Sequence, residues 1–153
     1  MIELALPDTQ SKEIRRKAMD LLARREHGQE ELRRKLLAKG YAQQAVDELL
    51  EKLVQENLLS DQRFTESYVN FRSKKGFGPL RIAQELKEKG ISSALLQKYL
   101  DDGAYWLDMA KEVREKRFGA DLPKDYKDKA KQMRFLQYRG FGHEQIRHLF
   151  DEY

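Results

Sequence analysis

Apolar residues recur at helical intervals along almost the whole chain. Leu32 and Leu36 stand four apart, as do Ile82 and Leu86, and Val46, Leu49, Leu50 and Leu53 follow the i, i+3, i+4, i+7 spacing. With 3.6 residues per turn, each set lies on one face of an α-helix, and the polar residues between them face away. A further helix precedes each such stretch: Ala18 and Leu22 with flanking Met19 and Leu21, then Phe64, Tyr68 and Phe71, then Trp106, Ala110 and Val113. The aromatic set at 64, 68 and 71 is expected to be core. No run alternates apolar and polar residues with β-branched enrichment, which is how half-buried strands read. The expected fold class is therefore all-α.

The helices repeat. Lys39-Gly40-Tyr41, Lys89-Gly90-Ile91 and Arg139-Gly140-Phe141 place a basic residue, a glycine and an apolar residue at a constant step of 50. The same step aligns Leu36 with Leu86 and Leu136, Val46 with Leu96 and Ile146, and Leu50 with Leu100 and Phe150. An apolar register shared three ways is the signature of a tandem array. Each of the three glycines sits where a helix C-terminal cap is expected. The chain thus reads as an N-terminal tail and helix start (1–14) followed by three-helix, helix-turn-helix-like repeats over 15–60, 61–104 and 105–153. Glu26-His27-Gly28 and Gly76-Phe77-Gly78-Pro79 break the first helix from the second in their repeats, and Ser60 is the expected N-cap of the middle repeat. The third repeat replaces the tight turn by a longer loop, Gly119 to Lys127, which contains Pro123.

Charge follows the same period. Residues 11–40 hold ten Lys/Arg and five Asp/Glu, whereas 41–61 hold one Lys and five acids. Residues 62–91 hold seven against three, 92–110 one against three, and 111–147 eleven against six. The formal net charge of +4 therefore conceals three basic patches at regular intervals. Composition otherwise mostly excludes. The absence of cysteine rules out disulfides, thiolate metal sites and cysteine nucleophiles. Glu3, Pro7 and Asp8 stand where a signal peptide needs a basic start and an apolar run, and no stretch approaches the roughly 20 apolar residues of a membrane span. The protein is expected to be cytoplasmic, away from membranes, and monomeric, since no long heptad pattern is present.

Lys74-Lys75-Gly76-Phe77-Gly78-Pro79 invites a reading as a phosphate loop, but it lacks the Lys-Ser/Thr pair of a P-loop and the preceding strand of a dinucleotide fingerprint. A helix-helix turn accounts for it better: Gly76 and Gly78 permit positive φ and Pro79 suits a first helical position. Gly140-Phe141-Gly142 is an echo in a different place, after the second helix of its repeat. His143 and His148 are five apart, about 140° around a helix, so they cannot share a metal from one face. His143 is expected at a helix start and His148 in solvent. Adjacent carboxylates such as Asp101-Asp102 point apart, and no nucleophile, base and acid set can be argued, so neither enzyme activity nor a cofactor is expected. The basic residues are placed more systematically. Arg34, Gln84 and Arg134 should point outward, as should Glu31, Arg81 and Lys131 one turn earlier, while Arg24 and Arg25 match Lys74 and Lys75 at equivalent turns. Phe77 and Tyr138 join them as contact candidates.

Three segments resemble the RecX regulators of the bacterial recombinase RecA. They are LLARREHGQEELRRKLLAKGY (21–41), LLSDQRFTESYVNFRSKKGFGPLRIAQELKEKGI (58–91) and KQMRFLQYRGF (131–141). The middle one carries the most specific pattern: Asp-x-Arg-Phe, a later Arg, a Gly-aromatic-Gly-Pro turn, then Ile-x-x-Glu-Leu-x-x-Lys-Gly-Ile. Gly28 departs from the family, which often has a small hydroxyl residue there to cap the next helix. The resemblance implies an elongated, curved array of three three-helix repeats. It implies a non-enzymatic activity as well: binding the RecA nucleoprotein filament and inhibiting its ATPase, strand-exchange and coprotease functions, hence a role in homologous recombination, DNA repair and the SOS response. The expected contact set is Arg24, Arg25, Arg34, Arg63, Arg72, Lys74, Lys75, Arg81, Arg134 and Arg139, with Arg63 and Arg72 resting on the motif and the rest on charge and exposure. Weak binding to single- or double-stranded DNA is expected beside RecA. The competing reading is a stand-alone helix-turn-helix-like DNA-binding protein.

Overall fold

A computed structural model describes residues 6–151, with side chains from Gln10 onward. The first five residues of the expected N-terminal tail lie outside the described part. Among the described residues there are nine α-helices and no strand: α1 (Leu6–Arg24), α2 (Gln29–Ala38), α3 (Gln43–Gln55), α4 (Asp61–Lys74), α5 (Pro79–Glu88), α6 (Ser93–Leu100), α7 (Gly103–Phe118), α8 (Tyr126–Arg139) and α9 (His143–Asp151). They form three helical triplets in tandem, as the periodicity requires.

The turns obey the local chemistry. Gly40, Gly90 and Gly140 all adopt positive φ, at 93°, 80° and 102°, so a left-handed residue ends each second helix without the clash a Cβ would bring. Ser60 Oγ accepts a hydrogen bond from the Arg63 amide at 3.1 Å, opening α4 as an N-cap does. Pro79 takes the first position of α5, where its missing N–H is not needed. Gly76 has φ +93° but Gly78 does not share it; the reason for a glycine at 78 is space, since a Cβ there would meet the Gly140 backbone.

The chain divides within α4 into two compact units. The first comprises residues 1–67 with Lys89–Ile91. Its core joins Ile14 and Ala18 of α1, Leu32 and Leu36 of α2, and Val46, Leu49, Leu50 and Leu53 of α3, all buried. Each Leu, Ile and Val side chain removed from water contributes about 1.5–3 kcal/mol, so this cluster is what holds the triplet together. The Lys89–Ile91 turn lies against the start of α2: a Cβ on Gly90 would come within 2.7 Å of Glu30 Cβ. Glu31 is buried in consequence rather than facing outward.

The second unit comprises residues 68–88 and 92–153. Ile82, Leu86, Trp106, Ala110, Leu136, Ile146, Leu149 and Phe150 are buried there. Arg114 is buried too, and donates to the carbonyls of Ala120 and Asp121 and to Gln132 Oε1 at 3.2–3.3 Å, which fixes the long loop before α8. Two expectations fail. Phe71 is 55% exposed instead of core, because beyond Phe64 and Thr65 the buried side of α4 passes to Val69 and Ser73, about half a turn from Phe71. In α6 no residue is buried, although Leu96, Tyr99 and Leu100 share the register of α3 and α9 and are half-buried.

Candidate functional site

The ten basic residues of the expected contact set fall into two chemically different groups. In the first unit the arginines are mostly engaged. Arg25 grips Glu31 through two bonds, Nη1 to Oε1 at 3.0 Å and Nη2 to Oε2 at 2.7 Å, and Lys89 Nζ reaches the same carboxylate at 3.4 Å. Burial alone would raise the Glu31 pKa; the Arg25 bonds and the neighbouring positive charges overcome it and hold the carboxyl at about 2. Beside it, His27 is 2% exposed, with Nδ1 3.1 Å from the Arg25 carbonyl and Nε2 2.9 Å from Lys35 Nζ. Lys35 can only donate, so His27 accepts at Nε2 and donates from Nδ1, which is the neutral ring. Burial, and the charges of Arg25 and Lys35, lower its pKa.

Arg34 pairs with Glu30 at 3.2 Å along α2. Arg63 donates to Glu26 at 3.0 Å and to the side chain and carbonyl of Asn57, both at 2.9 Å. Asn57 has φ +61°, so Arg63 clamps a left-handed turn, a structural task the motif alone did not reveal. Arg24 is exposed at the end of α1, and among the described residues no carboxylate lies within 4.0 Å of it.

In the second unit the turn between α4 and α5 meets the turn between α8 and α9. The Gly78 amide donates to the Arg139 carbonyl at 2.8 Å and the Leu80 amide to the Gly140 carbonyl at 2.9 Å. The N-terminus of α5 thus satisfies the C-terminus of α8. A Cβ on Gly78 would stand 2.5 Å from Gly140 C, and one on Gly140 would stand 2.4 Å from Arg81 Cβ. The two Gly-Phe-Gly sequences, unlike in position, are partners in contact. No periodicity could have shown this, because it joins different places in successive repeats.

That contact gathers Arg72, Arg81 and Arg139 around Phe77, with guanidinium carbons 4.0, 4.4 and 5.1 Å from the ring centre. Arg72 is fully committed to Glu85, Nε to Oε1 at 2.9 Å and Nη2 to Oε2 at 2.7 Å, and Arg81 shares that carboxylate at 3.5 Å. Phe77 is half-buried beneath them rather than a projecting tip. Arg139 instead donates to the Lys75 carbonyl at 3.3 Å. The Gly76 and Phe77 amides donate to the Ser73 and Arg72 carbonyls at 2.9 and 3.2 Å. With Gly78 also engaged, the turn offers no amide cradle to a phosphate.

Next to this turn opens a cleft of about 270 Å³ between α4, α7 and α8. Lys74, Lys75 and Arg139 stand on one side and Lys116 and Arg117 on the other, above Met109, Val113 and Phe135. Lys116 and Arg117 close α7, whose sequence pattern gave no sign that its last turn would face Lys74 and Lys75. Arg134 and Tyr138 are exposed on the outer face of α8, Tyr138 by 78%. Among the described residues no helix is long and apolar enough to cross a membrane, and no group of three His, Asp or Glu side chains is placed to hold a metal ion.

Three family models match in order: the first three-helix domain of RecX over residues 15–53, the second over 60–100 and the third over 104–150. The chain is 45% identical to the regulatory protein RecX of Pseudomonas syringae pv. tomato over 129 residues, 84% of this chain and 83% of that one. It is 44% identical to the regulatory protein RecX of Halorhodospira halophila over 138 residues, 90% of this chain and 86% of that one. The crystal structure of RecX from Lactobacillus salivarius superposes with a TM-score of 0.81 at 22% identity, covering 95% of this chain and 97% of that one, and so shares the fold. The chain belongs to the RecX family.

Proposed function

We propose that this protein regulates the RecA recombinase by docking on its nucleoprotein filament and inhibiting ATP hydrolysis, strand exchange and coprotease activity, without catalysis of its own. The observation that carries this reading is the match to regulatory RecX proteins along most of both chains. The charge distribution supports it. Lys74, Lys75 and Arg139 cluster at one turn with no carboxylate within 4.0 Å among the described residues, and cations without a carboxylate partner keep their charge available to an anionic partner. Arg72 serves that surface indirectly, by covering Phe77 and accepting the Phe77 amide at its own carbonyl, while Arg63 holds a turn of the first unit.

The test is a titration of RecA's ATPase on single-stranded DNA at two salt concentrations. Stoichiometric protein should suppress hydrolysis, and Lys74→Glu with Lys75→Glu should raise the concentration needed by about tenfold, or roughly 1.4 kcal/mol. Hydrolysis left untouched at stoichiometric excess would sink the proposal.

A direct DNA contact is favoured by one observation. Lys127, Lys131, Arg134 and Tyr138 recur at i, i+4, i+7 and i+11 on α8 and are all exposed. They make one outer face with three cations and a ring. Binding to single strands in the absence of RecA should then weaken with salt, with a log-log slope of about −0.7 per neutralised phosphate.

A further inference from the structure

The cleft between α4, α7 and α8 gathers five cations that lack a carboxylate partner among the described residues. Arg15, Arg25, Arg33, Arg34, Arg63, Arg72, Arg81 and Arg147 each have a carboxylate within 4.0 Å. Arg117 and Arg139, with Lys74, Lys75 and Lys116, have none among the described residues, although Glu112 stands on the same rim. Five like charges around so small an opening repel one another and lower its own stability, a cost that a bound multivalent anion would reverse.

The floor adds a second requirement. Phe135 is half-buried, with the guanidiniums of Arg117 and Arg139 5.6 and 5.1 Å from its ring centre, and Met109 and Val113 complete an apolar base. A carboxylate would satisfy a rim charge and leave this floor wet. A ligand with a flat ring and a phosphate satisfies both, because aromatic bases stack on phenyl and guanidinium faces. At about 270 Å³ the space suits one nucleotide and is short for a folded peptide element.

We infer that this cleft binds a single nucleoside phosphate, its base laid on Phe135, Met109 and Val113 and its phosphate held by side chains of Lys74, Lys75, Lys116, Arg117 and Arg139. Side chains carry the site because the turn's amides are engaged elsewhere. Glu112 is then the rim acceptor available to a ribose hydroxyl. The nucleotide is either free in solution or one link of a single strand, and the chemistry of recognition is the same for both.

Calorimetric titration of the full chain separates the outcomes. Adenosine diphosphate should saturate one site, and adenosine and inorganic phosphate should each bind at least about tenfold more weakly, since each lacks half of the recognised group. Arg117→Gln, an exposed change at a helix end, should weaken the diphosphate about three- to tenfold with unchanged thermal unfolding. Phe135→Leu should do so while leaving phosphate binding as it was. A thymidine decamer that displaces the diphosphate identifies the ligand as a link of a strand; one that leaves it in place identifies a free nucleotide. Absence of saturable diphosphate binding in the millimolar range, or displacement by a poly-glutamate peptide as effective as the diphosphate, overturns the inference. It stands apart from the filament reading: a chain that inhibits RecA and binds no nucleotide loses this site alone.

Discussion

Gly40, Gly78 and Gly140 show three ways in which a backbone can require the same residue. Gly40 has φ +93° and nothing within 4 Å of where a Cβ would be, so only its conformation matters. Gly78 does not have a positive φ and is needed because another chain segment passes 2.5 Å from its absent Cβ. Gly140 combines φ +102° with a neighbour at 2.4 Å. Gly40→Ala should therefore lose about 1–2 kcal/mol, the cost of a left-handed alanine. Gly78→Ala should lose about 1–3 kcal/mol through overpacking, and Gly140→Ala the sum of both effects. Urea unfolding of the three variants checks the order, and equal losses at 40 and 140 would contradict it. The sequence made these glycines legible as turn residues, since Gly and Pro punctuate helices. It could not separate conformation from close approach, which depends on a segment about 60 residues away.

At the scale of the element, the joint between α1 and α2 couples a buried histidine to a buried carboxylate. His27 is shifted below its usual 6.5, so the native state holds its ring neutral while the unfolded chain takes up a proton as pH falls. The stability it contributes is complete above pH 6.5 and declines below it. Glu31 behaves likewise lower down: held at about 2 against 4.5 unfolded, it contributes fully above pH 4.5 and is lost as pH falls toward 2. Unfolding free energy measured against pH should drop in these two windows, and His27→Gln should flatten the upper one only. Nothing in the sequence pattern announced this joint. His27 stands in a break with polar neighbours, and Glu31 reads as a surface residue until the turn at Lys89–Ile91 is laid over it.

For the whole molecule, the step of 50 made the number of triplets and most helix boundaries readable, because apolar spacing reports which face each helix buries. The division into two compact units was not readable. It arises from contacts that cross the period: Lys89–Ile91 on the start of α2 in the first unit, and Gly140 on the start of α5 in the second. The same crossing explains why the basic cleft surfaced only in three dimensions. Lys74 and Lys75 were visible as a pair, but Lys116 and Arg117 join them only through the packing of α7 against its neighbours.

The Lys89–Ile91 turn also sets an order of events during synthesis. A ribosome releases the chain from its N-terminus, and a domain can close only when its last required residue has emerged. The first three helices are complete at Gln55, yet the partner that buries Glu31 arrives with Lys89 and Gly90. The first unit should therefore finish folding some 35 residues later than its helices suggest, and the second only once Gly140 and the α9 core residues are out. Force measured on stalled nascent chains of increasing length should show two releases, one beyond residue 91 and one beyond 150, for a chain that carries three repeats.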